Sequence, residues 1–177
     1  MSVIGHLRMI PSAAWPLGVG LLVNSAILFG NVGVDLAGAV PISREKLGKT
    51  DLRPKDNVRI WSLFYKTAAS YIVPGIISTT SLHLLAAYLT PSRRVRNFAL
   101  TAALVSLSII PHTLLFILPT NKILLGLDKK AELRPAEEKD VGYYIGRWSA
   151  LHKGRYVQYV TSWTAGLGAL MGVVGRW

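Results

Sequence analysis

The chain has 177 residues, a length suited to one domain, with 51% hydrophobic and only 16% charged residues. That balance departs from soluble averages in the direction of membrane proteins. Its net charge of +11 is carried by Lys and Arg lying almost wholly between apolar runs, without a nucleic-acid recognition motif, so anionic lipid explains it better than nucleic acid. Cysteine is absent, which excludes disulfides, a thiolate nucleophile and Cys-based metal sites.

Four apolar segments follow in order, at about residues 14–33, 62–89, 98–118 and 156–174. Each can cross roughly 30 Å of hydrocarbon at 1.5 Å per residue. With short connections they predict an all-α integral membrane four-helix bundle of up-down topology, one domain over residues 1–177. A soluble four-helix bundle would need a charged outer face, and no segment carries one.

The first segment has a short basic lead-in and an Ala37-Gly38-Ala39 sequence that imitates a signal-peptidase site. It is long for a signal peptide and places Gly20, Asn24, Asn31 and Asp35 on one helical face. Such a stripe needs a bundle to face, so the segment is expected to remain in the mature protein. Residues 41–59 read as a polar connection, irregular around Pro54. The second span opens with Trp61 and Tyr65, which share a face with Ile72, Thr79 and His83; Pro74 is expected to bend it. Lys66 lies near its start and is expected to snorkel.

After a turn at residues 90–97, the third span carries Thr101, Ser108 and His112 on one face. Pro111 and Pro119 predict an irregular exit whose freed carbonyls need partners. Residues 129–140 read as a charged, solvated loop. The segment from Tyr143 to Tyr159 then reads as part of one continuous helix. At 100° per residue, Tyr144, Trp148, His152, Arg155, Tyr156, Tyr159 and Trp163 fall in an arc of about 120°, with Tyr143 outside it. Such an arc is either an aromatic belt with snorkelling cations or the wall of a planar-ligand pocket bearing an ionisable pair. The last span holds Gly166, Gly168, Gly172 and Gly175, which permit close helix approach.

Fourteen of the twenty Lys and Arg sit in the first and third connections. That bias puts those connections on the cytosolic side and both termini opposite. Asn31, Asp35, Trp61, Tyr65, His112, Asn121, Trp148, His152 and Arg155 are then expected at one depth. His83 is about 27 Å along the helix from Tyr65 and is excluded from that group, as is His6. Two histidines with Asp35 could suit non-haem iron, but no compact ligand motif is present and no metal site is expected. No dinucleotide, phosphate-loop or haem-attachment motif occurs either.

Trp61 with Tyr65, Pro74, Pro111-His112-Thr113, Pro119-Thr120-Asn121 and Trp148-x3-His152-x2-Arg155, followed by Gly166-Leu167, resemble the anthrone oxygenase family of small membrane proteins. Pro41 after the first helix fits as well; Asn24 and Asn31 depart from the small or apolar residues such a helix would carry. The resemblance implies an oxygenase that converts an anthrone-type polyketide to an anthraquinone with molecular oxygen and without flavin, haem or metal. It implies a small aromatic polyketide as substrate, the bilayer as surroundings, and an endomembrane such as the endoplasmic reticulum as location; oligomeric state is left open. The chemistry requires a base, an oxyanion partner and a dry planar cavity. His152 is expected as base and Arg155 as oxyanion stabiliser. Trp61, Tyr65 and Trp148 are expected as walls, His112 and Asn121 as orienting groups, and Asn31, Asp35 and Tyr159 as further substrate contacts. The competing class is a non-catalytic membrane scaffold or carrier for small aromatic molecules.

Overall fold

A computed structural model of the chain describes residues 11–175, so His6 lies outside the described residues. Among them every regular element is helical: α1 (Ala14–Ala37), α2 (Ala39–Ser43), α3 (Pro54–Leu89), α4 (Arg93–His112), a π-helical turn (Thr113–Ile117), α5 (Leu118–Asp128), α6 (Pro135–Lys153) and α7 (Arg155–Val174). The fold is an all-α bundle. Three runs are long and apolar enough to cross a membrane: Ala14–Ser43, Pro54–Leu89 and Arg93–Asp128. The chain is a membrane protein. The expected fourth span coincides with the 20-residue α7, which is not one of those three. Gln158, Ser162 and Trp163 lower its apolarity, and all three bond to neighbouring helices.

Helices run beyond the expected apolar limits at several ends. The irregular stretch anticipated around Pro54 is instead the start of α3, because a proline in the first turn forfeits no helical hydrogen bond. Pro135 opens α6 in the same way, within what reads in the sequence as a loop. There Glu137 accepts from the Arg134 backbone N–H at 3.1 Å and pairs with its guanidinium. The irregularity expected between Pro111 and Pro119 takes the form of the π-helical turn, after which the helix continues to Asp128. A widened turn absorbs the missing proline donor without ending the helix.

The described chain divides into two compact units. One gathers, of the described residues, 11–28, 74–109 and 157–175; the other gathers 29–73 and 110–156. This grouping puts the second connection with the terminal segments, and the first with the third, as an up-down chain requires. Both basic connections belong to the second unit.

The first unit is held by polar bonds between apolar helices. Asn24 of α1 donates to Ser162 of α7 at 3.1 Å, and Ser162 donates to the Ala102 carbonyl of α4 at 2.9 Å. Trp163 donates to Ser25 at 2.8 Å, and Gln158 to Ser108 at 2.9 Å. His83 of α3 is fully buried, and its Nδ1–H donates to the Thr79 carbonyl at 2.8 Å. Its ring lies between two glycine backbones. A Cβ on Gly20 would meet Cε1 at 3.1 Å, and one on Gly166 would meet Nε2 at 2.7 Å. The glycine-rich last helix therefore admits the imidazole as well as closing on Phe98 and Val95.

This clamp makes Gly166→Ala an overpacking substitution, expected to cost about 1–3 kcal/mol. Thermal unfolding in detergent should show a lower midpoint. Pairing it with His83→Ala should give less than the sum of the two single effects, because the clashing ring is gone.

Candidate active site

The second unit is built on an aromatic cluster in which Trp61 and Trp148 are buried among Val58, Ile117, Leu124 and Ile145. The spacing of Val58, Trp61 and Tyr65 turns them to one side of α3, and Ile145, Trp148 and His152 do the same on α6. Trp61 stacks on Tyr65 at 5.2 Å with an interplanar angle of 5°. Trp148 meets Trp61 edge to face at 5.8 Å and stacks on His152 at 4.7 Å. The two indoles are thus a packed wall rather than opposite sides of a slot. Phe64, absent from the sequence-derived set, adds an edge contact to Trp148 at 6.2 Å.

His152 ends this wall and begins the polar part of the site. Its Nε2 lies 3.1 Å from the amide oxygen of Asn31 in α1, and its Nδ1 lies 3.5 Å from Nη1 of Arg155. Both His152 and Arg155 are buried, at 6% and 7% exposure. Gly154 separates α6 from α7, so the single continuous helix expected from the sequence is two helices with a glycine turn. The turn retains helical φ and ψ, and His152 and Arg155 remain on one side. Tyr156 approaches the His152 ring edge-on at 6.2 Å and donates its hydroxyl to the Asn31 carbonyl at 2.8 Å.

His112 reaches the same turn from α4: a Cβ on Gly154 would lie 3.4 Å from its Cε1. The three residues expected to carry chemistry, His112, His152 and Arg155, thus meet around one glycine. Asn121 is fully buried one turn from Ile117 and Leu124, which pack in the aromatic cluster. Several polar atoms of this unit are buried without a hydrogen-bond partner: His112 Nε2, both amide atoms of Asn121, and the indole nitrogens of Trp61 and Trp148. Buried polar atoms are ordinarily bonded, so this concentration in one unit is unusual.

Not every expected residue faces that group. Asp35 pairs with Lys153 at 3.8 Å. Asn31 is committed to His152 and Tyr156. Tyr159 is buried in the other compact unit, as is His83. Among the described residues no three His, Asp or Glu side chains gather as metal ligands.

One buried charge escaped the sequence reading. Asp128 accepts from Ser62 at 2.7 Å and pairs with Arg59 at 3.3 Å and Lys66 at 3.4 Å. Lys66 therefore has a protein partner where snorkelling was expected. Lys55 closes the same end of α5 by donating to the carbonyls of Leu127, Asp128 and Lys130, a cation on the negative pole of a helix. The spacing of Arg59, Ser62 and Lys66 on one face of α3 is the signal that could have found it.

Comparison with known proteins adds a family likeness. The family model described as anthrone oxygenase matches residues 61–165. That span contains Trp61, Tyr65, His112, Asn121, Trp148, His152 and Arg155 but not Asn31 or Asp35. The protein described as anthrone oxygenase dmxR16, from Cryptosporiopsis sp. (strain 8999), is 30% identical over 130 residues, covering 71% of this chain and 68% of that protein. No solved structure matches the chain.

His152 precedes the last apolar helix, and its pKa is pushed down to about 3 by burial, then by the adjacent Arg155 cation and then by His112. Removing water and adding positive charge each penalise the imidazolium. The ring is therefore neutral throughout the physiological range and gains a proton only as pH falls towards its lowered pKa. Residue-assigned ¹⁵N spectra of the protein in detergent should show a neutral His152 from pH 8 to pH 5. A transition near 6.5, where free imidazole titrates, would contradict this account.

Proposed function

Because the chain belongs to the anthrone oxygenase family, we propose that it oxidises an anthrone-type polyketide to the anthraquinone with molecular oxygen, using neither metal nor organic cofactor. The observation that carries this reading is the buried pairing of a neutral imidazole with a guanidinium at the end of an aromatic wall. The anthrone methylene lies between two aryl rings and is acidified by the conjugated ketone, so a modest base suffices. His152 takes that proton through Nδ1, whose 3.5 Å approach to Arg155 is longer than a strong hydrogen bond. Arg155 stabilises the anthrolate oxygen.

The electron-rich anthrolate reduces oxygen by one electron, and recombination at the former methylene carbon with return of the proton gives a hydroperoxide. Loss of the second hydrogen from that carbon, with cleavage of the O–O bond, yields the ketone and water. The sum is one methylene and one O₂ giving one carbonyl and one H₂O. Tyr65, backed by the buried Trp61 and Trp148, forms the apolar side against which the rings lie. His112 Nε2 and the Asn121 amide, both buried without partners, bond the ring oxygens and fix which carbon meets His152. The protein acts in an endomembrane of the endoplasmic-reticulum type, where a hydrophobic phenolic substrate partitions, with the two basic connections towards the cytosol.

Initial rates of anthrone loss and oxygen uptake, corrected for spontaneous oxidation and taken in metal-chelated buffer, test the proposal. His152→Ala should lower the rate by about 10² to 10⁴ while the protein still elutes as a folded species. Arg155→Lys keeps the charge but loses the planar donor fork and should also be impaired. Tyr143→Ala, which alters an exposed ring off the site face, should match wild type. Binding of anthrone with no turnover above the spontaneous rate would favour a carrier. Loss of activity on chelation, restored by iron, would overturn the cofactor-free reaction.

A further inference from the structure

Asn31 lies ahead of the residues matched by the family model, yet its side chain reaches the centre of the site. Arg155 can only donate hydrogen bonds, so the ring nitrogen facing it, Nδ1 of His152, must present a lone pair. A neutral ring then carries its proton on Nε2, and the group 3.1 Å from Nε2 is the Asn31 amide oxygen, an acceptor. The opposite arrangement is self-defeating. If the Asn31 amide were flipped, its NH₂ would face Nε2, the proton would have to sit on Nδ1, and two donors would confront each other at Arg155. Tyr156 holds the peptide of Asn31 by its hydroxyl and stands edge-on to the imidazole.

The geometry points to Asn31 as a positioning residue that locks His152 in the Nε2–H tautomer and keeps the Nδ1 lone pair turned to Arg155. The consequence for catalysis rests on His152 being the base of the proposed oxidation; the lock itself does not. Among the described residues, the titratable and charged groups around the imidazole are Arg155 and Tyr156 from α7 and His112 from α4. Asp35 of α1 is paired with Lys153 one turn away. Among the described residues no carboxylate is bonded to the ring, so an acid introduced at position 31 would place one against it.

The test is ¹⁵N spectroscopy of histidine-labelled protein in detergent, with the His152 signals assigned by their loss in His152→Gln. Wild type should show a neutral ring protonated on Nε2. Asn31→Leu, similar in shape but unable to accept, leaves the ring free to turn away from Arg155 and should show a mixture of tautomers. Asn31→Asp keeps the shape and should raise the pKa of His152, so that its imidazolium forms at a higher pH than in wild type, since an adjacent carboxylate favours the charged ring. Below that raised pKa its kcat should fall about 10²-fold or more with KM little changed. The loss should be reversed as pH is raised, because the neutral base returns above the elevated pKa. If Asn31→Leu does not fold, Asn31→Asp still decides the matter. A wild-type ring protonated on Nδ1, or a His152 spectrum unaltered in Asn31→Asp, overturns the lock. A spectrum that changes as expected with an unchanged rate supports the lock and overturns His152 as the base.

Discussion

An apolar helix in lipid has no water with which to satisfy a polar side chain, and this constraint arranges both compact units. Each asparagine of α1 solves it by bonding a residue near or within the last helix: Asn24 meets Ser162 in one unit, and Asn31 meets His152 in the other. The two asparagines are seven residues apart, hence on the same face of α1. One face of one helix thus supplies a structural bond and a bond to the residue proposed as base. The serine bond continues to the backbone of α4 and is satisfied. Around His152, by contrast, polar atoms are left over on His112, Asn121, Trp61 and Trp148. Interhelical polar bonds of this kind contribute on the order of 1 kcal/mol each, so holding a helix in place does not require that surplus.

The parts of this arrangement legible in the sequence were those set by helical period. The α1 stripe, the exclusion of Tyr143 and the grouping of Trp148, His152 and Arg155 follow from 100° per residue and survive the turn at Gly154, because that glycine keeps helical dihedrals. Nine of the ten residues singled out, all but Tyr159, fall in one compact unit. Partner choice was not legible. Asp35 and Lys153 are far apart in sequence, and Asp128 lies at the edge of what reads as a solvated loop, so spacing could mark the cationic face of α3 but not the carboxylate that meets it. Helix limits were also underestimated, since apolar runs mark where lipid contact is possible rather than where hydrogen bonding ends. Pro54 and Pro135 begin helices, and Pro119 is absorbed by a π-helical turn.

The indoles change what the aromatic arc means. Trp61 and Trp148 are buried against each other and against aliphatic side chains, so neither offers a free face comparable to that of an open pocket. The rings that remain half-buried are Phe64, Tyr65, Tyr144 and Tyr156, together with the His112 imidazole. A planar molecule approaching this unit would meet those rings first, with the buried indoles setting their orientation from behind. The belt and pocket readings of the arc are therefore compatible: the buried rings fix geometry, and the partly exposed ones meet lipid or ligand.

A base held neutral by burial and by a neighbouring cation is weak, and that weakness has to be reconciled with proton abstraction from carbon. In the absence of substrate, protonating His152 would place two positive groups side by side in apolar surroundings, which is why its pKa is low. Proton transfer from an anthrone changes the sum. The imidazolium and the anthrolate appear together, and attraction between the anthrolate and the two cations beside it is strong where water is excluded. The low pKa of the free protein is thus a property of the empty charge balance rather than of the imidazole in the reaction. On the proposed mechanism, the same guanidinium that makes His152 a poor base alone makes the ion pair it forms with substrate favourable, and substrate binding is what turns the one condition into the other.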